Sequence, residues 1–170
     1  MIKEKELHIG KLIKRKIRES GQKQKCLAKK MSLSESKISR ICQNKTIITN
    51  ILIRVCIHLD YNFFNNYTKF IDGFISKEKD ILLTQIYKFI TTEKIHVGKL
   101  IKKIKTERKL ISKILAEKIG YTEKNIYKLY KRENIDTGRL ILISKHLNFN
   151  FFDIYTEFVD EQIQKQKSIL

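Results

Sequence analysis

The side chains most able to do chemistry are few, and several come in pairs. The sequence has four histidines, and they form two couples 88 positions apart, His8 with His96 and His58 with His146. A lone histidine in each of two matching helical stretches is more often structural than a ligand. The three cysteines, Cys26, Cys42 and Cys56, face Ile114, Tyr130 and Ser144 at the matching positions, so no thiol role is shared. Their spacing does not resemble a zinc site, and an odd number fits reduced thiols better than a disulfide framework. No phosphate-binding glycine loop, nucleophile elbow or HExxH stretch is present. The chain is therefore not expected to be an enzyme, and neither a cofactor nor a metal is expected.

Positive charge is what the chain has in quantity. Lys and Arg number 36 against 18 Asp and Glu, a formal net charge of +18. Residues 1–72 carry +10, residues 96–170 carry +7, and the stretch between them only +1. Two basic modules joined by a near-neutral bridge suggest a polyanionic partner, most simply nucleic acid. A chain rich in Lys, Ile and Asn can also reflect the base composition of a genome, so charge needs a motif beside it. Apolar residues make up 42%, with no Pro and six Gly, which favours compact folding with few helix breakers. No apolar run approaches the ~20 residues of a membrane span, and the opening MIKEKEL leads into no hydrophobic stretch. A cytoplasmic protein without membrane contact is expected.

The elements that must carry this charge are written twice. HIGKLIK (His8 to Lys14) returns as HVGKLIK (His96 to Lys102), and NFFNNYTKFID (Asn62 to Asp72) as NFFDIYTEFVD (Asn150 to Asp160). Between these ends the register holds without a gap, with 26 of 65 positions identical, which is an internal repeat. Apolar residues recur at helical spacing in five stripes per copy. In the first copy these run from Ile9-Leu12-Ile13-Ile17, through Cys26-Leu27-Met31, Ile38-Ile41 and Ile51-Leu52-Val55-Leu59, to Phe63-Phe64-Tyr67-Phe70. The second copy repeats them, with Ile114-Leu115-Ile119 as its second stripe. Ser34 or Thr122 is the expected cap of the third helix, and Thr49 or Thr137 of the fourth. The aromatic stripe is expected to close the core beneath the other four. GFISKEKDILLTQIYKFITTEKI suits a connecting helix, and the final QIQKQKSIL a fraying helical end. The expected division is a first unit over 1–73, a linker helix over 74–94, and a second unit with a helical tail over 95–170.

The second and third stripes carry the specific pattern. QKCLAKKMSLSESKISRI spans Gln24 to Ile41 and SKILAEKIGYTEKNIYKL spans Ser112 to Leu129. Ala28 and Ala116 are small where two helices would cross, and Gly120 stands where a turn wants a positive φ. Both stretches resemble the helix-turn-helix of the Cro-repressor-like (XRE) family, in which QxxLAxxxG precedes a short turn and a second helix. The resemblance implies an all-α fold, two tandem five-helix lambda-repressor-like helix-turn-helix domains joined by a helical linker. This sequence departs from the pattern at Ser32, which replaces the turn glycine and predicts a looser turn, and at Ser112, which replaces the leading Gln. Cys42 and Tyr130 stand where the family often has Glu.

By that resemblance the third helix enters the major groove, its N-terminal part nearest the base edges. The base-reading positions would be Glu35, Ser36, Lys37, Ser39 and Arg40 in the first unit, and Glu123, Lys124, Asn125, Tyr127 and Lys128 in the second. Arg40 would pair with a guanine, Asn125 with an adenine, and Tyr127 would pack on a thymine methyl. Glu35 and Glu123 would accept from cytosine or cap their helices. Gln24, Lys25, Ser112 and Lys113 would meet phosphate at the start of the preceding helix, with Lys45, Lys131 and Arg132 as backbone clamps. The expected partner is double-stranded DNA, and the assembly is either a homodimer or a pseudo-dimeric monomer. The expected function is a sequence-specific transcriptional regulator, by default a repressor, using two fused units on a bipartite site. Two alternatives stay open, a protein-interaction or antitoxin-like helical module and a nonspecific nucleic-acid binder.

Overall fold

The computed structural model describes residues 7–75 and 95–168. Among them are ten α-helices and no strand: α1 (Ile9–Glu19), α2 (Gln24–Lys30), α3 (Glu35–Gln43), α4 (Thr49–Leu59), α5 (Phe64–Asp72), α6 (Val97–Glu107), α7 (Ser112–Lys118), α8 (Glu123–Tyr130), α9 (Thr137–Leu147) and α10 (Phe151–Lys167). Each helix of the first five begins 88 residues before its counterpart, except that α10 starts one residue early. The expected linker helix lies outside the described residues from position 76 onward, and Phe74 and Ile75 form a turn and a bend after α5.

The repeated HxGKLIK stretch builds a joint. His8 Nδ1 accepts from Lys11 N, and His96 Nδ1 from Lys99 N, so each histidine caps the helix it precedes. The amides of the first helical turn then donate to the end of the third helix. Gly10 N reaches Asn44 O at 3.1 Å, and Gly98 N reaches Arg132 O at 2.9 Å. Unpaired N–H groups at one helix start thus satisfy unpaired carbonyls at another helix end. A side chain at either glycine would not fit. A Cβ on Gly10 would lie 2.6 Å from Asn44 O and Ile41 O, and one on Gly98 would lie 2.4 Å from Leu129 O.

Left-handed residues also recur in register, although their types do not. Ser32 (φ 49°) matches Gly120 (φ 68°), Gly21 (φ 65°) matches Lys109 (φ 53°), and Asp60 (φ 48°) matches Asn148 (φ 46°). The expected looser turn at Ser32 is not seen. Leu33 N donates to Ala28 O at 2.9 Å, as Tyr121 N donates to Ala116 O at 2.7 Å. The departure from glycine shows instead as backbone strain of roughly 1 kcal/mol. Ser32→Gly is therefore expected to raise stability by about 0.5–1 kcal/mol and Gly120→Ser to lower it similarly, both measured by urea unfolding.

The two sets of helices face one another across a pseudo-twofold axis, and many of their contacts come as reciprocal pairs. Ile48 and Asp136 form an isolated antiparallel bridge. Thr49 N donates to Ile135 O and Thr137 N to Ile47 O, both at 2.9 Å. Contrary to the expectation from sequence, Thr49 and Thr137 do not cap their helices. Their hydroxyls accept from Ile135 N and Ile47 N of the opposite set, at 3.3 and 3.1 Å, and Ile48 and Asp136 hold the cap positions. Asn62 Nδ2 donates to Thr156 O and Asp160 Oδ1, and Asn150 Nδ2 to Thr68 O and Asp72 Oδ1. Thr68 and Thr156 meet each other at 3.2 Å.

The aromatic stripe does more than close its own core. Phe64 stacks on Tyr155 at 4.9 Å and Tyr67 on Phe152 at 4.6 Å, nearly parallel in both cases. NFFNNYTKFID and its echo therefore share Asn, Phe, Tyr, Thr and Asp because both strings build one self-complementary interface. Gly73 ends α5, whereas Glu161 at the matching place lets α10 run on to Lys167 with Ile163 buried, so the tail is helix as far as Lys167.

One carboxylate in this interface is poorly placed. Burial pushes the Asp153 carboxyl up to about 6, opposed by a hydrogen bond from Thr68 and reinforced by Asp72 and Glu157. A folded-state pKa above the unfolded value of about 3.9 means that the protonated form favours folding. That contribution is complete below pH ~4 and lost as pH rises through ~6. Asp153→Asn is expected to stabilise the fold at pH 8 and to leave it nearly unchanged at pH 4, in urea titrations at the two values.

Candidate nucleic-acid interface

The third helix of each set is amphipathic, capped, and held from behind. Ser34 Oγ accepts from Lys37 N, and Thr122 Oγ1 from Asn125 N, as the sequence predicts. Glu35 and Glu123 follow those caps as the first helical residues, where their charge suits the positive helix end. Ile38, Ile41 and Cys42 face inward on α3, and Ile126, Leu129 and Tyr130 on α8. Ala28 and Ala116 are buried where the preceding helices cross.

The opposite faces are open. Glu35, Ser36, Lys37 and Arg40 are exposed and Ser39 is half-buried; Glu123, Lys124, Asn125, Tyr127 and Lys128 are all exposed. Ser36 Oγ lies 3.0 Å from Ser34 Oγ. Around each face, Lys25, Lys45, Lys113, Lys131 and Arg132 are exposed, and Gln24 is half-buried.

Ser112 is the exception. It is buried, and its hydroxyl lies 3.1 Å from Tyr130 Oη, so its side chain is not available to a phosphate. Tyr130 stands where the first set has Cys42, and its longer side chain reaches the start of α7 and takes Ser112 as its hydrogen-bond partner. Ile114 is a second correction. Its spacing reads as core, yet it is exposed.

Sequence reasoning also missed two supports. Arg54 of α4 donates to Met31 O, and Arg139 of α9 donates to Ile119 O at 2.5 Å. Met31 and Ile119 are matched residues at the ends of α2 and α7, but the arginines are not matched, since Arg54 faces Leu142 in the repeat and Arg139 faces Ile51. Each guanidinium holds a carbonyl just before the turn. Gly10 and Gly98, which seat α3 and α8, were in view as a repeated stretch but not as positioning residues.

A cleft of about 370 Å³ runs from α3 toward the pseudo-dyad. Lys37, Arg40 and Lys45 line it beside Ile41, Ile47 and Ile48, and Asp136 of the second set closes it. Asp136 is committed to Gly138 N and Arg139 N as the cap of α9. The basic side chains of the exposed face of α3 thus continue into this cleft.

Of the three thiols, Cys42 and Cys56 are buried and Cys26 is exposed. Burial pushes Cys56 up to about 12 and raises Cys42, and neither is near its nucleophilic form at neutral pH. Among the described residues no group of three or more His, Cys, Asp or Glu is placed to hold a metal. Nor is any helix among them long and apolar enough to cross a membrane.

Two helices joined by a tight turn, the second one seated, capped and open on its outer side, make a helix-turn-helix arrangement. Residues 100–160 match the family model of the Cro/C1-type HTH DNA-binding domain. The match lies wholly within the second set of helices and supports a DNA-binding transcription regulator. No curated protein and no solved structure matches the chain.

Proposed function

We propose that both five-helix sets are helix-turn-helix units and that the chain is a sequence-specific transcription regulator acting on a bipartite site. Repression by occupying a promoter is the mode the features favour, because the cationic surface is accounted for by duplex binding alone. The observation that carries this reading is the reciprocal interface. It relates α3 and α8 by a pseudo-twofold axis while both outer faces stay open. Units so related would meet half-sites running in opposite directions along the duplex, as symmetric helix-turn-helix dimers do. Covalent linkage supplies the second unit at high effective concentration, so no second chain is needed.

Selection from a random duplex library, followed by binding measurements at two salt concentrations, tests the proposal. A preferred sequence with two inverted elements is expected, with affinity falling steeply as salt rises. Lys25→Ala and Lys113→Ala should each reduce the salt slope by about 1 without changing the preferred sequence. Recovery of no preferred sequence, or binding indifferent to salt, would sink it.

A further inference from the structure

The dyad-related reading faces differ in chemistry. On the second unit Ile111 is 62% exposed, Tyr127 54% and Ile114 43%. The matching residues of the first unit are Lys23, Ser39 and Cys26. One edge is therefore apolar and aromatic where its counterpart is cationic and polar.

Two of these side chains stand at the start of α7 and the third on the outer side of α8. The Tyr127 ring meets the Tyr130 ring edge-on at 6.0 Å, and Tyr130 Oη lies 3.1 Å from Ser112 Oγ. That chain of contacts ties the outer face of α8 to the first turn of α7, where Ile111 is the neighbour of Ser112. Ile111 holds the N-cap position of α7, and Ile114 stands in the first turn of that helix. The edge adjoins Asn125 and Lys128, so it lies beside the helix face already read as base-contacting.

Isoleucine offers nothing to a phosphate oxygen, and an exposed apolar cluster gains by meeting apolar surface. On the major-groove edge of DNA the methyl of thymine is the group of that kind, and no other base carries it. We propose that the second unit takes a thymine-rich half-site through Tyr127, Ile114 and Ile111, while the first unit takes its half-site through the cationic Lys37 and Arg40. Because the two faces are unequal, one chain sits on its site in a single orientation. The inference rests on both units binding DNA.

Uracil is the probe, since it is thymine without the methyl. The full chain is used first to select a site, and Arg40→Ala identifies the half read by the first unit as the half whose preference relaxes. Uracil then replaces thymine in one half at a time. Affinity should fall about fourfold for each contacted methyl in the second unit's half and by less than about twofold in the other. In the variant that combines Tyr127→Ser, Ile114→Cys and Ile111→Lys, the first unit's residues at those positions, the same replacement should become silent, with helical content unchanged by circular dichroism. Equal losses in both halves, no loss in either, or a loss that persists in the triple variant would overturn the inference while leaving the regulator reading intact. A surface kept for a protein partner would give that second result. Recovery of no preferred sequence would overturn the regulator reading and this inference with it.

Discussion

Alanine at position 98 will destabilise the second unit by roughly 3 kcal/mol and weaken its hold on DNA tenfold or more. The methyl would enter a space bounded by Leu129 O, Tyr130 O and Arg132 O at 2.4, 2.6 and 2.7 Å. All three are backbone atoms, so no rotamer change relieves the contact, and α8 must move away from α6. Overpacking of this kind costs about 1–3 kcal/mol, and the bond from Gly98 N to Arg132 O adds about 1. Gly10→Ala should act alike on α3. Gly73→Ala is the control, because its added carbon meets only Phe70 O at 3.5 Å. Urea unfolding reads the first effect and a DNA titration the second. An unchanged affinity in a destabilised Gly98→Ala chain would show that the joint does not set the reading helix.

The second large effect belongs to the interface. Phe152 is fully buried against Tyr67, and Phe64 against Tyr155. Truncating a buried phenylalanine costs about 3–5 kcal/mol, and the two sites adjoin, so the pair will not add simply. In the Phe64→Ala, Phe152→Ala chain the halves are expected to separate while each keeps its helices. Urea unfolding should split into two transitions, and DNA affinity should drop about a hundredfold as the second contact loses its fixed geometry. A single sharp transition with full affinity would mean that the halves are held together elsewhere.

Periodicity made much of this fold legible. The apolar stripes placed all ten helices found among the described residues, and Ser34 and Thr122 announced the starts of α3 and α8. What escaped depended on partners far away in the chain. Thr49 before an apolar run reads as a cap, and only the fold reveals Ile135 beside its hydroxyl. Phe64 and Tyr67 were read as core from their spacing, which cannot say whose core they enter. Ile114 sat in an apolar stripe and proved exposed, because the stripe of α7 is narrower than the run of apolar letters. Arg54 and Arg139 perform one task from unmatched positions, so the repeat itself concealed them.

On the outer faces of α3 and α8, the sequence named nearly every exposed side chain. It erred at Ser112 because the tyrosine that captures it replaces a cysteine, a change whose reach cannot be judged along one dimension. The glycine joint was written in both copies from the start. Its meaning needed the carbonyls that crowd it.

The reciprocal hydrogen bonds across the pseudo-dyad also bear on dilution. Two separate chains joined by such contacts would come apart as they grew scarce, and their melting midpoint would slide with concentration. Here both sides of the seam belong to the same polypeptide, so scarcity cannot unmake it. A cell holding only a handful of copies would have every one of them already assembled.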